Sequence, residues 1–100
     1  SRRFKMPVQA IAMITITNKD ALGAYREKAA DALAKHGGSV VSADPEPIIL
    51  EAATDVPDIT ALLSFPTVEA AKAWREDPDL ADIHALRNTG GKSTIVVLPA

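Results

Sequence analysis

The chain has 100 residues, enough for one modest core and too few for two. Its 47% hydrophobic and 24% charged residues describe a folded globular chain rather than a disordered one. A net charge of −2 and a pI of about 5.6 remove the electrostatic case for nucleic acid or an anionic membrane surface, and the absence of cysteine removes disulfides, thiolate metal sites, iron–sulfur clusters and cysteine nucleophiles.

Ser1-Arg2-Arg3-Phe4-Lys5 is basic and reads as a tail ahead of a single domain over 6–100. Ser-Arg-Arg before an apolar run also fits a twin-arginine export signal. That run, however, contains Pro7 and Gln9 and then alternates as a strand does. No run of about 18 apolar residues exists, so no spanning helix is expected and the expected location is the cytoplasm.

Val8 to Thr17 predicts the first strand. Val8, Ala10, Ala12, Ile14 and Ile16 share one face, while Ile11 and Met13 make the opposite face apolar in its middle. A helix follows, capped by Thr17 or Asn18, with Leu22, Tyr25, Ala29 and Leu33 or Ala32 at helical spacing; Gly37-Gly38 stops it. Ser39 to Ala43 and Ile48 to Glu51 predict a strand broken at Pro45 and Pro47, hence an edge or a bulge. Ile59 to Phe65 predicts the third strand, with Leu62 on the face opposite Ile59, Ala61, Leu63 and Phe65.

Thr67 caps the second helix, whose apolar face is Val68, Ala71 and Trp74. Asp77-Pro78 ends that helix and starts another as N-cap and first-turn proline, with Leu80, Ile83 and Leu86 or Arg87 along it. Asn88 to Gly91 predicts a turn and Thr94 to Leu98 the last strand. The order β-α-β-β-α-β, with its second helix split, predicts an α+β ferredoxin-like sandwich with an antiparallel four-stranded sheet.

Ile11, Met13, Leu62 and Val96 or Val97 then fall on the sheet face away from the helices, which in an isolated domain meets water. Four such side chains make an apolar patch on the order of a few hundred Å2. Covering it at about 25 cal/mol per Å2 is worth several kcal/mol per subunit. A homodimer packed sheet against sheet, with Ile11, Met13, Leu62 and Val96 at the interface, is the expected assembly.

Tyr25, Gly37-Gly38, Leu50-Glu51, Phe65-Pro66, Trp74-x-x-x-Pro78 and Arg87 occur in an order and spacing that resembles the domain of unknown function 1330 family, within the dimeric α+β barrel superfamily. The resemblance covers about residues 8 to 98. It implies a homodimer whose two sheets form a barrel, with a cleft between sheet and helices in each subunit. Superfamily relatives include cofactor-free monooxygenases, lactone isomerases and haem-degrading enzymes. Where the family reads Trp-Tyr and then Ser-Pro-Glu-Tyr, this chain has Arg75 after the tryptophan and Asp77-Pro78-Asp79-Leu80.

Several side chains bear on function. His84 and Arg87, three apart on one helix, can face the cleft, with His84 as acid or base and Arg87 holding a carboxylate. Glu51 is either a base with a raised pKa or the ion-pair partner of Arg87. Trp74 and Tyr25 are core residues that can also wall a pocket. His36 suits the negative end of its helix. Asp77, Asp79 and Asp82 have the spacing of first-turn acids rather than of a calcium loop. Gly90-Gly91-Lys92-Ser93 lacks the upstream glycine of a phosphate loop and leads from helix to strand.

No metal and no bound cofactor are expected. The expected function is binding or conversion of a small organic molecule in the sheet–helix cleft. The alternatives are a non-catalytic dimeric interaction module and a haem-binding protein, the last requiring an axial histidine in a dry cleft.

Overall fold

The computed structural model describes residues 7–99; the tail expected over 1–5 lies outside the described residues. Strand β1 (Val8–Ile16) leads into helix α1 (Lys19–Lys35), and β2 (Ser39–Asp44) and β3 (Ile59–Phe65) follow. Helix α2 (Val68–Glu76), a 3-10 turn (Pro78–Leu80) and α3 (Ala81–Gly90) then return the chain to β4 (Gly91–Leu98). The sheet order is β2-β3-β1-β4, with every neighbouring pair antiparallel. This is the expected ferredoxin-like α+β arrangement, with the interrupted second helix. No helix among the described residues is long and apolar enough to cross a membrane.

The helix ends follow local chemistry. Asn18, rather than Thr17, caps α1, its Oδ1 accepting from the Ala21 amide at 3.0 Å. The helix stops where Gly37 takes φ +76°; the Gly38 amide then donates to the Leu33 carbonyl at 2.8 Å and the Gly37 amide to Ala34 at 3.0 Å, which satisfies two orphaned carbonyls. Thr67 caps α2 through the Ala70 amide at 3.0 Å. Asp77 caps the 3-10 turn through the Asp79 amide at 2.8 Å, with Pro78 in its first position.

Three expected elements differ. Ile48 to Glu51 is not a strand: the chain from 45 to 58 is a loop, and Ile48 and Leu50 are 89% and 95% exposed. Proline at 45 and 47 cannot donate to a ladder, and the pairing of β2 with β3 ends at Asp44. The irregularity of β2 is instead a register shift between Val40 and Ser42. Asn88 to Gly91 is not a turn: α3 runs to Gly90 and β4 begins at Gly91, three residues before Thr94. The Gly90 carbonyl accepts from the Thr17 and Asn18 amides at 2.9 and 3.0 Å, which fastens the end of α3 to the start of α1. A Cβ on Gly91 would collide with the Thr15 carbonyl oxygen, so the direct helix-to-strand passage needs glycine there.

The core lies between the helices and one sheet face. Val8, Ala10, Ala12, Leu63, Phe65, Leu33, Ala71, Trp74 and Leu80 form its main cluster, and Ile14, Leu22 and Ile59 a smaller one. Ile11 pairs with Leu62 on one side and Val96 on the other, so these three side chains share the open face with Met13. Val96, not Val97, belongs to that face; Val97 packs against the core.

Candidate functional site

The middle of α3 carries the most unusual residues in the core. His84 and Arg87 are 3% and 2% exposed, among side chains that are otherwise apolar. Their spacing sets both on the inner face of the helix, where His84 Nδ1 lies 2.9 Å from Arg87 Nη1. A guanidinium only donates, so Nδ1 is the acceptor, and the imidazole proton sits on Nε2, which donates to the Trp74 carbonyl at 2.8 Å. The His84 ring also stands edge-on to Trp74, with centroids 4.8 Å apart. Burial pushes the imidazole pKa below its ordinary value; the Trp74 carbonyl works against this and the Arg87 charge with it.

Arg87 is held differently. Its Cζ lies 5.5 Å from the Tyr25 ring centroid and 5.4 Å from that of Trp74, so two aromatic faces flank the cation. Among the described residues no carboxylate is within ion-pair distance of it. Its Nε is buried without a hydrogen-bond partner, and so is Nε1 of Trp74. Aromatic faces offset only part of the cost of burying a charge that cannot be shed by deprotonation. The guanidinium is thus enclosed by neighbours that supply it no anion among the described residues.

Two cavities meet at Arg87. The first, about 220 Å3, lies between α1 and the sheet and is lined by Tyr25, Ile59, Leu63 and Ile95. Five alanines (Ala12, Ala29, Ala30, Ala43 and Ala61) also line it. Small side chains where a core commonly carries valine or leucine leave the space open. The second, about 240 Å3, is a recess bounded by Trp74, Lys72 and Arg75 of α2, Arg87 and Asn88 of α3, and Ser93 of β4. A cavity of about 150 Å3 accommodates benzene, so either space admits a ring or a short chain.

The expected site residues divide accordingly. The structure brings His84, Arg87, Trp74 and Tyr25 together. Glu51 lies exposed in the loop after β2 and lines neither cavity, so it is not the partner of Arg87. Both nitrogens of His84 are engaged, which leaves neither a free base nor an axial position for haem iron. His36 is tied down elsewhere: its Nε2 is 2.8 Å from Asp77 Oδ2, which also meets Lys35 Nζ at 2.7 Å. Lys35 and His36, with the backbone amide of Asp79, hold the Asp77 carboxyl well below the usual carboxylate range.

Sequence reasoning does not place Lys72, Arg75 or Ser93 at the site. Lys72-x-x-Arg75 is a one-turn cationic pair beside Trp74, and Ser93 is the polar member of the inward set Gly91, Ser93, Ile95 and Val97. Both signals were present in the spacing. Their meaning depended on Arg87 lying opposite.

A small ferredoxin-like α+β domain whose buried guanidinium, between helices and sheet, has no ion-pair partner among the described residues is thus the class that fold and site define. The chain belongs to the family described as Domain of unknown function (DUF1330), whose model matches residues 7–100. Among solved structures it is similar to a protein of unknown function from Rhodopseudomonas palustris, at 17% identity and a TM-score of 0.76 over 96% of this chain and 83% of that one. A methylated form of that protein matches at 18% identity and a TM-score of 0.73, over 94% and 80%. A dimeric ferredoxin-like protein of unknown function from Thermobifida fusca matches at 15% identity and a TM-score of 0.55, over 100% and 97%. At these identities the likeness is one of fold. No curated protein matches the chain in sequence.

Proposed function

We propose that this protein binds a small organic acid in the cleft between helices and sheet, with Arg87 as the anion anchor and no bound cofactor. One observation carries the reading: Arg87 is 2% exposed and has no carboxylate within ion-pair distance among the described residues. A ligand oxyanion would supply the missing counter-charge and accept from Nε. The alanine-lined chamber beside it takes the apolar body of the acid. Trp74 and Tyr25 flank the guanidinium, and His84 fixes its rotation. His84 is here a positioning residue and not an acid or base.

Calorimetric titration with benzoate, hexanoate and benzyl alcohol tests this. Both acids should bind and the alcohol should not, and Arg87→Met should abolish binding of the acids. Equal binding of the acid and the alcohol, or unchanged binding in Arg87→Met, would overturn it.

We propose, too, that a second copy of the chain covers the open sheet face. Ile11, Met13, Leu62 and Val96 lie there in register, with Val96 and Leu98 45% and 46% exposed. The Thermobifida fusca protein of similar fold is described as dimeric, which supports a homodimer. The interaction-module alternative rests on this face alone, whereas a buried cation without a counter-ion has no purpose in assembly.

A further inference from the structure

The recess on the α2 side of Arg87 differs in chemistry from the chamber on its α1 side. Three cationic side chains border it, Lys72, Arg75 and Arg87, together with Asn88 and Ser93, and none of its lining residues is an acid. Neither Lys72 nor Arg75 makes an ion pair among the described residues, although Glu69 and Glu76 stand on the same helix. Two of its walls, Trp74 and Arg87, are 3% and 2% exposed and each carries a buried N–H with no partner. Exposed lysine and arginine on a helix are ordinary. Buried donors left unsatisfied behind them are costly, and a ligand that accepts from them removes the cost.

We infer that the head group of the bound acid is a compact dianion of the phosphate monoester class, seated in this recess. The inference rests on the proposed binding of an organic acid at Arg87 and adds where its charge lies and how large it is. A monocarboxylate has one charge and two oxygens, which the Arg87 fork can satisfy alone. A phosphate monoester has nearly two charges and three acceptor oxygens, and so uses the rim cations as well. Lys72 and Arg75 sit one helical turn apart on the recess side of α2, Ser93 faces inward from β4, and Asn88 follows Arg87 on α3. The apolar part of the same molecule extends toward Ile95, which lines both cavities together with Arg87.

Calorimetric titration of the full chain with phenyl phosphate and with benzoate tests this, since the two probes share a ring and differ in head group. Phenyl phosphate should bind at least about tenfold more tightly than benzoate. The double substitution Lys72→Gln, Arg75→Gln should weaken phenyl phosphate by about tenfold or more and benzoate by about twofold or less. Both residues are exposed, so the substitutions leave the core intact. Benzoate binding as tightly as phenyl phosphate, or an equal loss for both probes in the double variant, overturns the dianion inference and leaves the Arg87 anchor standing. Failure of both probes to bind at millimolar concentration overturns both readings.

Discussion

Arg87 Nη1 and His84 Nδ1 lie 2.9 Å apart, with both side chains buried and the imidazole proton on the far nitrogen, where it donates to the Trp74 carbonyl. The pair is therefore a chain of donors and acceptors running from the backbone of α2 to the guanidinium. It orients the cation without neutralising it, and its consequences for stability and binding can be measured separately.

Replacing Arg87 by methionine removes an unpaired buried charge and keeps most of the side-chain volume. It also removes the cation–π attraction to Tyr25 and Trp74, worth about 0.5–2 kcal/mol for each ring, and leaves the buried His84 Nδ1 without its donor, at about 1–3 kcal/mol. The desolvation cost relieved is of several kcal/mol. Urea denaturation should find Arg87→Met within about 1 kcal/mol of the parent or more stable, while acid binding falls by about 100-fold or more. Arg87→Ala, which also leaves a void, should be less stable than Arg87→Met by about 2 kcal/mol.

His84 predicts a pH dependence of folding. Burial sets its pKa below the unfolded value of about 6.5. As pH falls through that value the unfolded chain takes up a proton before the folded chain does. Stability from this residue is thus complete above about pH 6.5 and declines below it until the folded pKa is passed. A protonated Nδ1 would also point a hydrogen at Arg87 Nη1. Unfolding free energies at pH 7.5 and 5.5 should fall with acid in the parent and fall less in His84→Gln. His84→Ala, which orphans the Trp74 carbonyl and Arg87 Nη1, should cost about 3 kcal/mol at pH 7.5 and less at pH 5.5, where the parent has itself lost stability.

Asp77 acts in a lower window. Its folded pKa is depressed by Lys35 and His36, so its contribution is present above the unfolded carboxylate value of about 3.9 and is lost as pH falls toward the folded pKa. Acid titration followed by circular dichroism should show Asp77→Asn unfolding at a higher pH than the parent. Coincident acid transitions would mean that the Lys35–Asp77–His36 cluster contributes nothing to the acid limit.

The sheet face gives a prediction about assembly. Leu62→Glu or Ile11→Lys places a charge in the centre of the open face, between cross-strand partners on β1, β3 and β4. Light scattering coupled to size exclusion should give twice the chain mass for the parent and the chain mass for either variant. A dimer surviving both substitutions would place the interface elsewhere.

Gly91→Ala tests the direct passage from α3 to β4. The added methyl meets the Thr15 carbonyl and Ile14 Cγ2, in backbone that cannot yield without opening the β1–β4 pairing. The expected loss is about 3 kcal/mol in urea denaturation. Gly23→Ala, with nothing within 4 Å of the new carbon, should stabilise α1 by about 0.5–1 kcal/mol.

The sequence alone determined the elements whose signals are local. Alternation at period two gave β1 and β3 almost to the residue, Asn18, Thr67 and Asp77-Pro78 marked helix starts, and Gly37-Gly38 marked a helix end. These follow from backbone geometry and the nearest side chains, so no distant contact is needed to read them. The parity of β1 and β3 likewise gave the open face, but the choice of Val96 over Val97 waited on the register with Ile11. Tertiary structure decided the rest. Ile48 to Glu51 has a strand-like composition but pairs with no strand among the described residues, because the chain leaves the edge strand β2 at Asp44 and Pro45 and Pro47 cannot donate to a ladder. Glycines at 90 and 91 suggest a turn until Leu22 and Thr15 are seen pressed against them. Arg87 and His84 could be placed on one helix face, yet burial, the missing counter-ion and the two cavities depend on where α1, α2 and the sheet close around them. The charge of a side chain is written in the sequence; whether water or a ligand answers that charge is set by what the fold packs against it.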